Sequence, residues 1–366
     1  MKILLAGGGT AGHINPALAI AGYAVSKNPN TKILFVGTKR GLESTLVPSA
    51  GYDIEYVNVE GLSKKLTLKN IKSLYHMLTA KSKCKKIIKN FKPDIVIGTG
   101  GYVCAPSVMA ANSLKIPTII HEQNVFPGSA IKLLSKDSTI TAISFEDSRK
   151  YLKGAKSILF TGNPIRPSVL SFNRETARRN LSLSNEKLIV IFGGSLGAAK
   201  INSVALSYIK SNAYPENCKI LFATGERNFN EINTQIEKEN ITIADNISIV
   251  PYIHNMDEVL NAADLVVCRS GAITVSEISA LGKPAILVPS PNVTNNHQEY
   301  NARALSDNGA AITILEKDFN IESLTEAVDL ILSSEETQSK MSNKSIAISS
   351  VSALDIIYNK ITELVK

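Results

Sequence analysis

The sequence predicts an α/β protein of two doubly wound domains, each with a parallel sheet covered by helices. Its 366 residues correspond to two domains of roughly 150 residues each. Short apolar runs alternate with helix-like segments along the chain, which is typical of parallel strands joined by helical crossovers. A strand that runs into glycines and then a helix occurs twice, as ILLAGGGTAGH at 3–13 and IVIFGGSLGAA at 189–199. This repeat indicates that both domains follow one plan.

Twelve apolar runs are predicted to be strands, six in each half of the chain. Several are apolar on successive residues, as expected of strands that are covered on both faces. In the first half they are Lys2–Ala6, Ile33–Val36, Ile54–Val57, Asp94–Ile97, Thr118–Ile120 and Thr139–Ile143. In the second half they are Leu188–Phe192, Lys219–Ala223, Ser248–Val250, Leu265–Val267, Ala285–Val288 and Ala311–Ile314.

The join between the domains is predicted near TGNPIR, residues 161–166, because a glycine and two prolines there interrupt both strand and helix patterns. The first domain is therefore expected to span residues 1–162 and the second 163–349. The last residues, 350–366, are predicted to form a helix that packs back on the first domain. The apolar face of that helix would consist of Leu354, Ile357, Tyr358, Ile361 and Leu364.

Composition excludes several classes of protein. Hydrophobic residues make up 44% and charged residues 20%, which argues against a disordered or fibrous chain. The four cysteines are far apart and form no CxxC pair, so neither a disulfide framework nor a zinc site is expected, and a reducing cytosol fits. The N-terminus does not resemble a signal peptide. Two uncharged stretches, Ile3–Ser26 and Ile95–Leu114, contain too many glycine, proline and asparagine residues for membrane spans.

Charge is distributed unevenly along the chain. Residues 1–160 carry 22 Lys and Arg against 9 Asp and Glu, whereas residues 161–366 carry 18 against 23. Ten lysines and no acidic residue lie between Ser63 and Pro93, with apolar residues at helical spacing among them. This basic segment, residues 64–92, suits the anionic surface of a membrane. The alternative is a helix packed on the core with a solvated lysine face. Nucleic acid is not an expected partner, since no binding motif is present.

The first glycine loop, Gly7–Gly12, matches GxGxxG between a strand and a helix. Such a helix start presents free N–H groups to a diphosphate or an oxyanion. A dinucleotide-binding protein usually has a carboxylate at the end of its second strand, but Val36–Arg40 contains none. An NADP site that uses Arg40, or a turn of purely structural role, remain alternatives. His13 follows the loop at the carboxyl end of the first strand, where it is either catalytic or structural.

The second half offers an equivalent turn and a further helix start. The turn is Gly193–Gly197, in which the hydroxyl of Ser195 would contact a phosphate. The helix start is Arg269–Glu277, where Glu277 lies far enough along to accept hydrogen bonds from both ribose hydroxyls. The alternative is a capped helix with a solvated glutamate. The chain has no GxxxxGK[ST], which excludes a phosphate-loop NTPase, and no DxD, so no metal is expected.

Six motifs occur in the order seen in one family: GGGTAGH (7–13), HEQN (121–124), TGNPIR (161–166), GGSLGA (193–198), CRSGAITVSE (268–277) and NNHQEYNA (295–302). With them the whole chain resembles the MurG-type transferases of glycosyltransferase family 28. The resemblance implies a GT-B fold, with two Rossmann-like domains facing across a cleft, and no cofactor. It also implies UDP-N-acetylglucosamine as the donor, undecaprenyl-diphospho-N-acetylmuramoyl-pentapeptide (lipid I) as the acceptor, and a peripheral location on the cytoplasmic face of the membrane.

The resemblance also implies roles for particular residues. In the first domain, which would bind the acceptor and the membrane, His13 is the candidate general base. In the second domain, Glu277 would bind the ribose and Ile253 would meet uracil through its backbone. The residues expected near the donor sugar are Thr10, Ala11, Gly12, Asn124 and Gln298, and those expected near its diphosphate and ribose are Arg166, Ser195, Ala272, Ile273, Thr274, Val275, Ser276 and Glu277. Ala11 stands where a second glycine is common, and it cannot take positive φ cheaply.

The function implied is an inverting transfer of N-acetylglucosamine to the muramoyl 4-hydroxyl of lipid I, which gives lipid II for peptidoglycan synthesis. Other enzymes on the same scaffold, such as a UDP-sugar epimerase or a lipid galactosyltransferase, are alternatives that share the donor half. A sugar-nucleotide-binding subunit without turnover is another alternative. An oxidoreductase is disfavoured because the second strand lacks the expected carboxylate.

Overall fold

The computed structural model describes residues 1–59, 68–194 and 196–366, which form two α/β domains. The first domain comprises Met1–Ile165 together with Ser350–Lys366. The second domain comprises Arg166–Ser349. The division along the chain thus falls between Ile165 and Arg166, inside the TGNPIR motif.

The first domain contains a seven-stranded sheet in which every neighbouring pair is parallel. Its strands are β1 (Lys2–Gly7), β2 (Lys32–Gly37), β3 (Asp53–Tyr56), β4 (Ile95–Gly100), β5 (Thr118–Glu122), β6 (Ile140–Ile143) and β7 (Ile158–Phe160). Their order is β3-β2-β1-β4-β5-β6-β7. The chain crosses from β1 to β2 on one side and later places β4 on the other. The carboxyl ends of β1 and β4 therefore border the crevice at which doubly wound sheets bind ligands.

Helices cover both faces of this sheet. They are α1 (Ala11–Lys27), α2 (Glu43–Ser49), α3 (Leu68–Phe91), α4 (Cys104–Ser113) and α5 (Ser129–Leu134), and a 3₁₀ turn spans Glu146–Tyr151. The packing of the central strand β1 explains why its residues are apolar at successive positions. Ile3 and Leu5 pack into the core beneath α1, whereas Leu4 and Ala6 pack into the core beneath α3 and α4. Alternate residues of a strand point to opposite faces, so a strand covered on both faces must be apolar at every position.

The second domain repeats the plan with six parallel strands in the order β10-β9-β8-β11-β12-β13. The strands are β8 (Lys187–Phe192), β9 (Cys218–Ala223), β10 (Ile247–Val250), β11 (Leu265–Cys268), β12 (Ala285–Leu287) and β13 (Ile312–Thr313). The helices are α6 (Pro167–Ser171), α7 (Arg174–Asn180), α8 (Ala199–Ser211), α9 (Glu226–Lys238), α10 (Met256–Ala262), α11 (Ala272–Ala280), α12 (His297–Ser306), α13 (Ile321–Leu332) and α14 (Glu335–Ile348). Here the crevice lies at the carboxyl ends of β8 and β11.

The C-terminal helix, α15 (Ala353–Val365), belongs to the first domain, where it packs beside α1. Ile357 and Ile361 are buried in the core beneath α1. Tyr358 meets Tyr23 of α1 edge to face, with 6.0 Å between the ring centroids. The apolar stripe of this helix therefore completes one face of the first sheet.

All twelve predicted strands are present, and the predicted fold class of two parallel-sheet α/β domains is confirmed. Two strands run two or more residues further at their carboxyl ends than predicted, since β4 continues to Gly100 and β5 to Glu122. The sequence analysis missed β7, a three-residue edge strand whose side chains are only partly covered. Among the described residues, no helix is both long and apolar enough to cross a bilayer.

Candidate active site

The first glycine loop connects β1 to α1 and makes its turn at Gly9. Gly9 has a φ of +86°, a left-handed conformation that glycine adopts without strain. Ala11 is the first residue of α1, so its position requires no such conformation. The departure from the family pattern at Ala11 is therefore compatible with the loop. Thr10, Ala11 and Gly12 lie together at the helix start, and their expected contact with the donor sugar stays a prediction.

His13 lies in the first turn of α1 and is held by hydrogen bonds on its ring and its backbone. Its Nδ1 lies 3.1 Å from the carbonyl oxygen of Gly8 and 3.2 Å from Thr10 Oγ1. A carbonyl can only accept a hydrogen bond, so Nδ1 carries the proton of the neutral ring and Nε2 carries the lone pair. The hydroxyl of Thr99 on β4 donates to the His13 carbonyl at 2.7 Å. These contacts fix a tautomer in which Nε2 is able to accept a proton.

Glu43, the first residue of α2, reaches back to the first glycine loop. Its Oε1 accepts from the Thr38 amide at 2.9 Å and from the Thr38 hydroxyl at 2.7 Å. Its Oε2 accepts from the Gly9 amide at 3.0 Å. Burial acts to raise the pKa of this carboxyl, but the hydrogen bonds from Gly9 and Thr38 outweigh it and hold the pKa below its usual value. A buried carboxylate thus lies against the loop.

Glu43 was not among the predicted site residues, because the carboxylate of a dinucleotide site is expected at the end of the second strand, Val36–Arg40. The feature of the sequence that could have pointed to Glu43 is a set of three glycines, which leave space for its side chain. A Cβ on Gly8, Gly37 or Gly41 would approach Glu43 to 2.6, 2.6 and 2.0 Å respectively. In a dinucleotide site such a carboxylate holds a ribose, whereas here it is engaged by the protein's own amides. This arrangement argues against a ribose-binding role for Glu43.

Asn124 follows β5, the neighbour of β4, and is oriented by the buried Glu122. The Asn124 amide and side-chain Nδ2 both donate to Glu122 Oε1, at 2.9 and 3.1 Å. Burial raises the pKa of Glu122 despite these bonds. His121 is also buried; its Nε2 donates to the Gly162 carbonyl at 3.0 Å, and burial lowers its pKa to about 4. The HEQN motif therefore contributes one candidate site residue and a buried scaffold that supports it.

In the second domain, the glycine turn follows β8 and helix α11 follows the adjacent β11. The two lie at the crevice of the second sheet, where β8 and β11 are neighbours. Ser195 lies outside the described residues, so its expected contact with phosphate stays a prediction. The stretch Ala272–Glu277 forms the first turns of α11, in which Val275 is fully buried. Ile273, Thr274 and Ser276 are half-buried on the same helix.

Glu277 is nearly buried on α11 and faces two other charged side chains. Arg166 Nη2 lies 2.6 Å from Asp257 Oδ1 and 3.5 Å from Glu277 Oε1. Burial raises the pKa of Glu277, and Asp257 adds to this effect while Arg166 opposes it. The structure thus brings together Arg166 and Glu277, two predicted site residues, and adds Asp257, which the sequence analysis did not single out.

Gln298 lies in the first turn of α12, and Ile253 lies in the loop after β10, at the same edge of the second sheet. The Gln298 side-chain oxygen accepts from the Ser290 amide at 2.9 Å, and its carbonyl accepts from the buried Ser270 hydroxyl at 2.8 Å. Asn301 Nδ2 donates to the Ser270 carbonyl at 3.2 Å. The NNHQEYNA and CRSGAITVSE motifs are therefore joined through Ser270. Ile253 follows β10 with its side chain buried, which leaves its backbone as the group that could meet a base.

The basic segment falls partly outside the described residues, which include it from Leu68 onwards as α3. Tyr75 and Leu78 on this helix are 65% and 60% exposed, whereas Cys84 and Ile88 are buried in the core of the first domain. Tyr75 and Leu78 thus face solvent, while the carboxyl half of the helix packs on the core, so the choice between a membrane-binding segment and a core-packed helix with a solvated lysine face stays open. Across 1–59, 68–194 and 196–366, no group of three His, Cys, Asp or Glu side chains could hold a metal ion.

Comparison with known proteins decides the family. The model of the glycosyltransferase family 28 N-terminal domain matches residues 3–143, and that of the C-terminal domain matches residues 188–357. A UDP-N-acetylglucosamine–N-acetylmuramyl-(pentapeptide) pyrophosphoryl-undecaprenol N-acetylglucosamine transferase of Acetivibrio thermocellus is 46% identical over 100% of this chain and 99% of the relative. The chain belongs to glycosyltransferase family 28. A transferase of the same name from Clostridioides difficile is 43% identical over 100% of this chain and 89% of the relative.

Solved structures agree with this assignment to family 28. The crystal structure of MurG from Acinetobacter baumannii matches with a TM-score of 0.79 and 25% identity, and the alignment covers 99% of each chain. A UDP-N-acetylglucosamine 2-epimerase from Neisseria meningitidis matches with a TM-score of 0.70 but only 16% identity, over 99% of this chain and 100% of that one. The epimerase therefore shares the fold alone, and the resemblance to MurG-type transferases is confirmed.

Proposed function

We propose that this member of family 28 transfers N-acetylglucosamine from UDP-N-acetylglucosamine to lipid I, giving lipid II in peptidoglycan synthesis. The observation that carries the proposal is the similarity of 41–47% identity, over essentially the full chain, to transferases named for this reaction. The two domains retain the motifs of that family at the carboxyl ends of their central strands. This transfer makes the protein a hexosyltransferase. Because its product is used to build the cell wall, the protein would contribute to cell shape and division.

In the first domain, His13 is proposed as the general base. The muramoyl 4-hydroxyl attacks the anomeric carbon, the bond from that carbon to the UDP oxygen breaks, and the hydroxyl proton passes to His13 Nε2. Inversion follows from this single displacement, which converts an α-linked donor into a β-1,4 product. The tautomer that the Gly8 carbonyl imposes supports this role, because it places the lone pair on Nε2. A positioned base typically contributes 10²–10⁴-fold to the rate.

In the second domain, Glu277 is proposed to accept hydrogen bonds from the ribose hydroxyls of the donor. The N–H groups at the starts of α8 and α11, with Ser195 and Arg166, would stabilise the charge that develops on the departing diphosphate. Gln298 and Asn124 would contact the donor sugar, and the Ile253 backbone would meet uracil. Arg166 forms an ion pair with Asp257 and lies beside Glu277, a placement that supports its role at the diphosphate.

A basic, partly apolar surface on α3 is proposed to hold the protein at the cytoplasmic face of the membrane. Tyr75 and Leu78 are exposed beside lysines of the basic segment, a combination that suits an anionic bilayer surface. Adsorption to vesicles that contain anionic phospholipid should be strong at low salt and should weaken as salt screens the charges. The variant Tyr75→Ser with Leu78→Ser should reduce adsorption. Absence of adsorption at low salt would contradict the proposal.

The transfer reaction is tested with labelled UDP-N-acetylglucosamine and a short-chain lipid I analogue, with EDTA present or absent. Formation of the disaccharide product in the presence of EDTA supports the transferase activity. It also supports stabilisation of the departing diphosphate by helix N-termini without a metal ion. If UDP binds but no product forms, the proposal fails and a binding subunit or a different acceptor is favoured. Donor consumption without acceptor would instead indicate an epimerase, the activity for which two fold neighbours are named.

A further inference from the structure

Hydrogen bonds around the first glycine loop form a continuous path from Glu43 to His13. The path runs through one peptide group, which joins Gly8 to Gly9. Its N–H, on Gly9, donates to Glu43 Oε2 at 3.0 Å. Its carbonyl, on Gly8, accepts from His13 Nδ1 at 3.1 Å. A single conjugated amide therefore contacts a carboxylate at one end and an imidazole at the other.

We propose that Glu43 is a positioning residue for His13 and acts through the Gly8–Gly9 peptide. Hydrogen bonds in a chain polarise one another, so a carboxylate at the N–H end makes the carbonyl a stronger acceptor for Nδ1–H. The stronger bond holds the tautomer with its lone pair on Nε2 and favours the imidazolium that forms when Nε2 accepts a proton. A buried aspartate does this directly in a Ser-His-Asp triad. The inference rests on the proposed function, in which His13 is the base.

The protein is built to hold a charged Glu43 at this place. The side chain has no exposed surface, yet three donor groups, two from Thr38 and one from Gly9, point at its oxygens. Three glycines leave the space that the side chain fills. Unpaired charges are rarely buried because desolvation is costly, so a fully buried carboxylate with this set of donors indicates a specific role.

Neutral residues of β4 and of the turn after it border His13 and its loop. Strand β4 presents Thr99 and Gly100, and a Cβ on Gly100 would lie 2.6 Å from the ring carbon Cδ2. The turn after β4 presents Tyr102, whose ring lies against Gly9. Lys39 and Arg40, in the loop between β2 and α2, are exposed to solvent. Glu43 is thus a buried charge that contacts the loop carrying His13.

The direct test compares Glu43→Gln with a charge-loss control, Glu55→Gln, on the exposed face of β3. Glutamine keeps the shape and one acceptor but removes the charge. We expect kcat to fall about tenfold or more, part of the 10²–10⁴-fold that a base supplies, with KM for UDP-N-acetylglucosamine unchanged within about twofold. The acid limb of the kcat/KM profile should move to lower pH by about half a unit, because an opposite charge favours the protonated imidazole. The control should match the parent protein.

A second readout follows the histidine itself by NMR. The ring signal of His13, assigned from its loss in His13→Ala, should titrate at lower pH in Glu43→Gln than in the parent protein. In glycine-labelled parent protein, the Gly9 amide signal should shift as His13 titrates, since both belong to one hydrogen-bonded path. This measurement needs no variant of Glu43, so it tests the hydrogen-bonded path on which the inference depends even if Glu43→Gln fails to fold.

The outcomes separate this inference from the proposed function. If His13→Ala retains full turnover, His13 is not the base, but the NMR titrations still report whether Glu43 acts on its ring. If Glu43→Gln leaves kcat and the His13 titration unchanged, the inference is overturned whatever His13 does. A Gly9 amide that ignores the His13 titration overturns it equally. A fall in kcat with an unmoved His13 signal would assign Glu43 a purely structural role.

Discussion

Removing the Glu277 carboxylate should sharply weaken binding of UDP. Glu277 lies on α11 with 7% of its surface exposed, so water competes little for its oxygens. A hydrogen bond to a charged group contributes about 1.5–3 kcal/mol, and the proposed site supplies two, one from each ribose hydroxyl. Donor binding must also loosen the contact between Glu277 and Arg166, which lies at 3.5 Å and is half-exposed on the arginine side. Such a pair contributes only about 0–1 kcal/mol.

The net effect expected of Glu277→Ala is therefore a loss of about 3 kcal/mol, which corresponds to an increase in Kd of about 100-fold or more. Isothermal titration with UDP measures it directly. The matched control is Glu237→Ala, which removes an exposed glutamate from α9 of the same domain and should leave the Kd unchanged. Glu277→Gln removes the charge but keeps the volume of the side chain, so its Kd for UDP should lie between those of Glu277→Ala and the parent protein.

A cycle with 2′-deoxy-UDP makes the assignment specific to the ribose. The parent protein should bind 2′-deoxy-UDP about tenfold or more weakly than UDP, because one hydrogen bond to a charged acceptor is absent. Glu277→Ala should bind both ligands equally, since the partner of that hydroxyl is already gone. If the variant still prefers UDP to the same extent as the parent, Glu277 does not contact the 2′-hydroxyl and the reasoning is refuted.

Three further predictions concern turnover and stability. His13→Ala should lower kcat by about 10²–10⁴-fold with UDP affinity unchanged by calorimetry, and normal turnover in this variant would remove His13 from the mechanism. Burial and the neighbouring Arg174 lower the pKa of Lys283 to about 7. Between about pH 7 and 10 Lys283 is therefore protonated in the unfolded chain but neutral in the folded protein, and the free energy of unfolding should rise with pH. Calorimetry at several pH values should show a smaller rise for Lys283→Met, and an equal rise in both proteins would contradict the lowered pKa. Ile361 on α15 is fully buried, so Ile361→Ala should lower the free energy of unfolding in urea by about 2–5 kcal/mol. Val351 is 55% exposed, so the control Val351→Ala should leave that free energy almost unchanged. Equal losses in the two variants would show that α15 does not complete the core.

Most of the fold could be predicted from the sequence because it depends on local patterns. The run at Ile3–Ala6 is apolar at every position, and that pattern alone indicates a strand covered on both faces. The strand β7 escaped because three partly exposed residues at a sheet edge carry too little apolar patterning to distinguish them from a loop. The extension of β4 to Gly100 escaped because glycine and threonine there suggested a loop, although the pairing partners on β1 hold them in the sheet.

The candidate site could be predicted only where a motif keeps its residues close in sequence. The helix start at Ala272–Glu277 is one such case. Asp257 lies far from Arg166 along the chain, and only the packing of α10 beside the start of the second domain brings them to 2.6 Å. Ser195 was predicted from its glycines, but it lies outside the described residues, so that prediction stays untested.

The two glycine loops show why a motif does not define a ligand. Both begin after a central strand and precede a helix, so their sequence patterns predict equivalent roles. In the first loop, however, the Gly9 amide is engaged by the protein's own carboxylate, Glu43. An anionic ligand would have to displace that carboxylate or share a site with its charge, and the like charges would repel. The first loop is therefore better suited to orient His13 than to hold a diphosphate, although its glycine spacing matches a nucleotide site more closely than the second does.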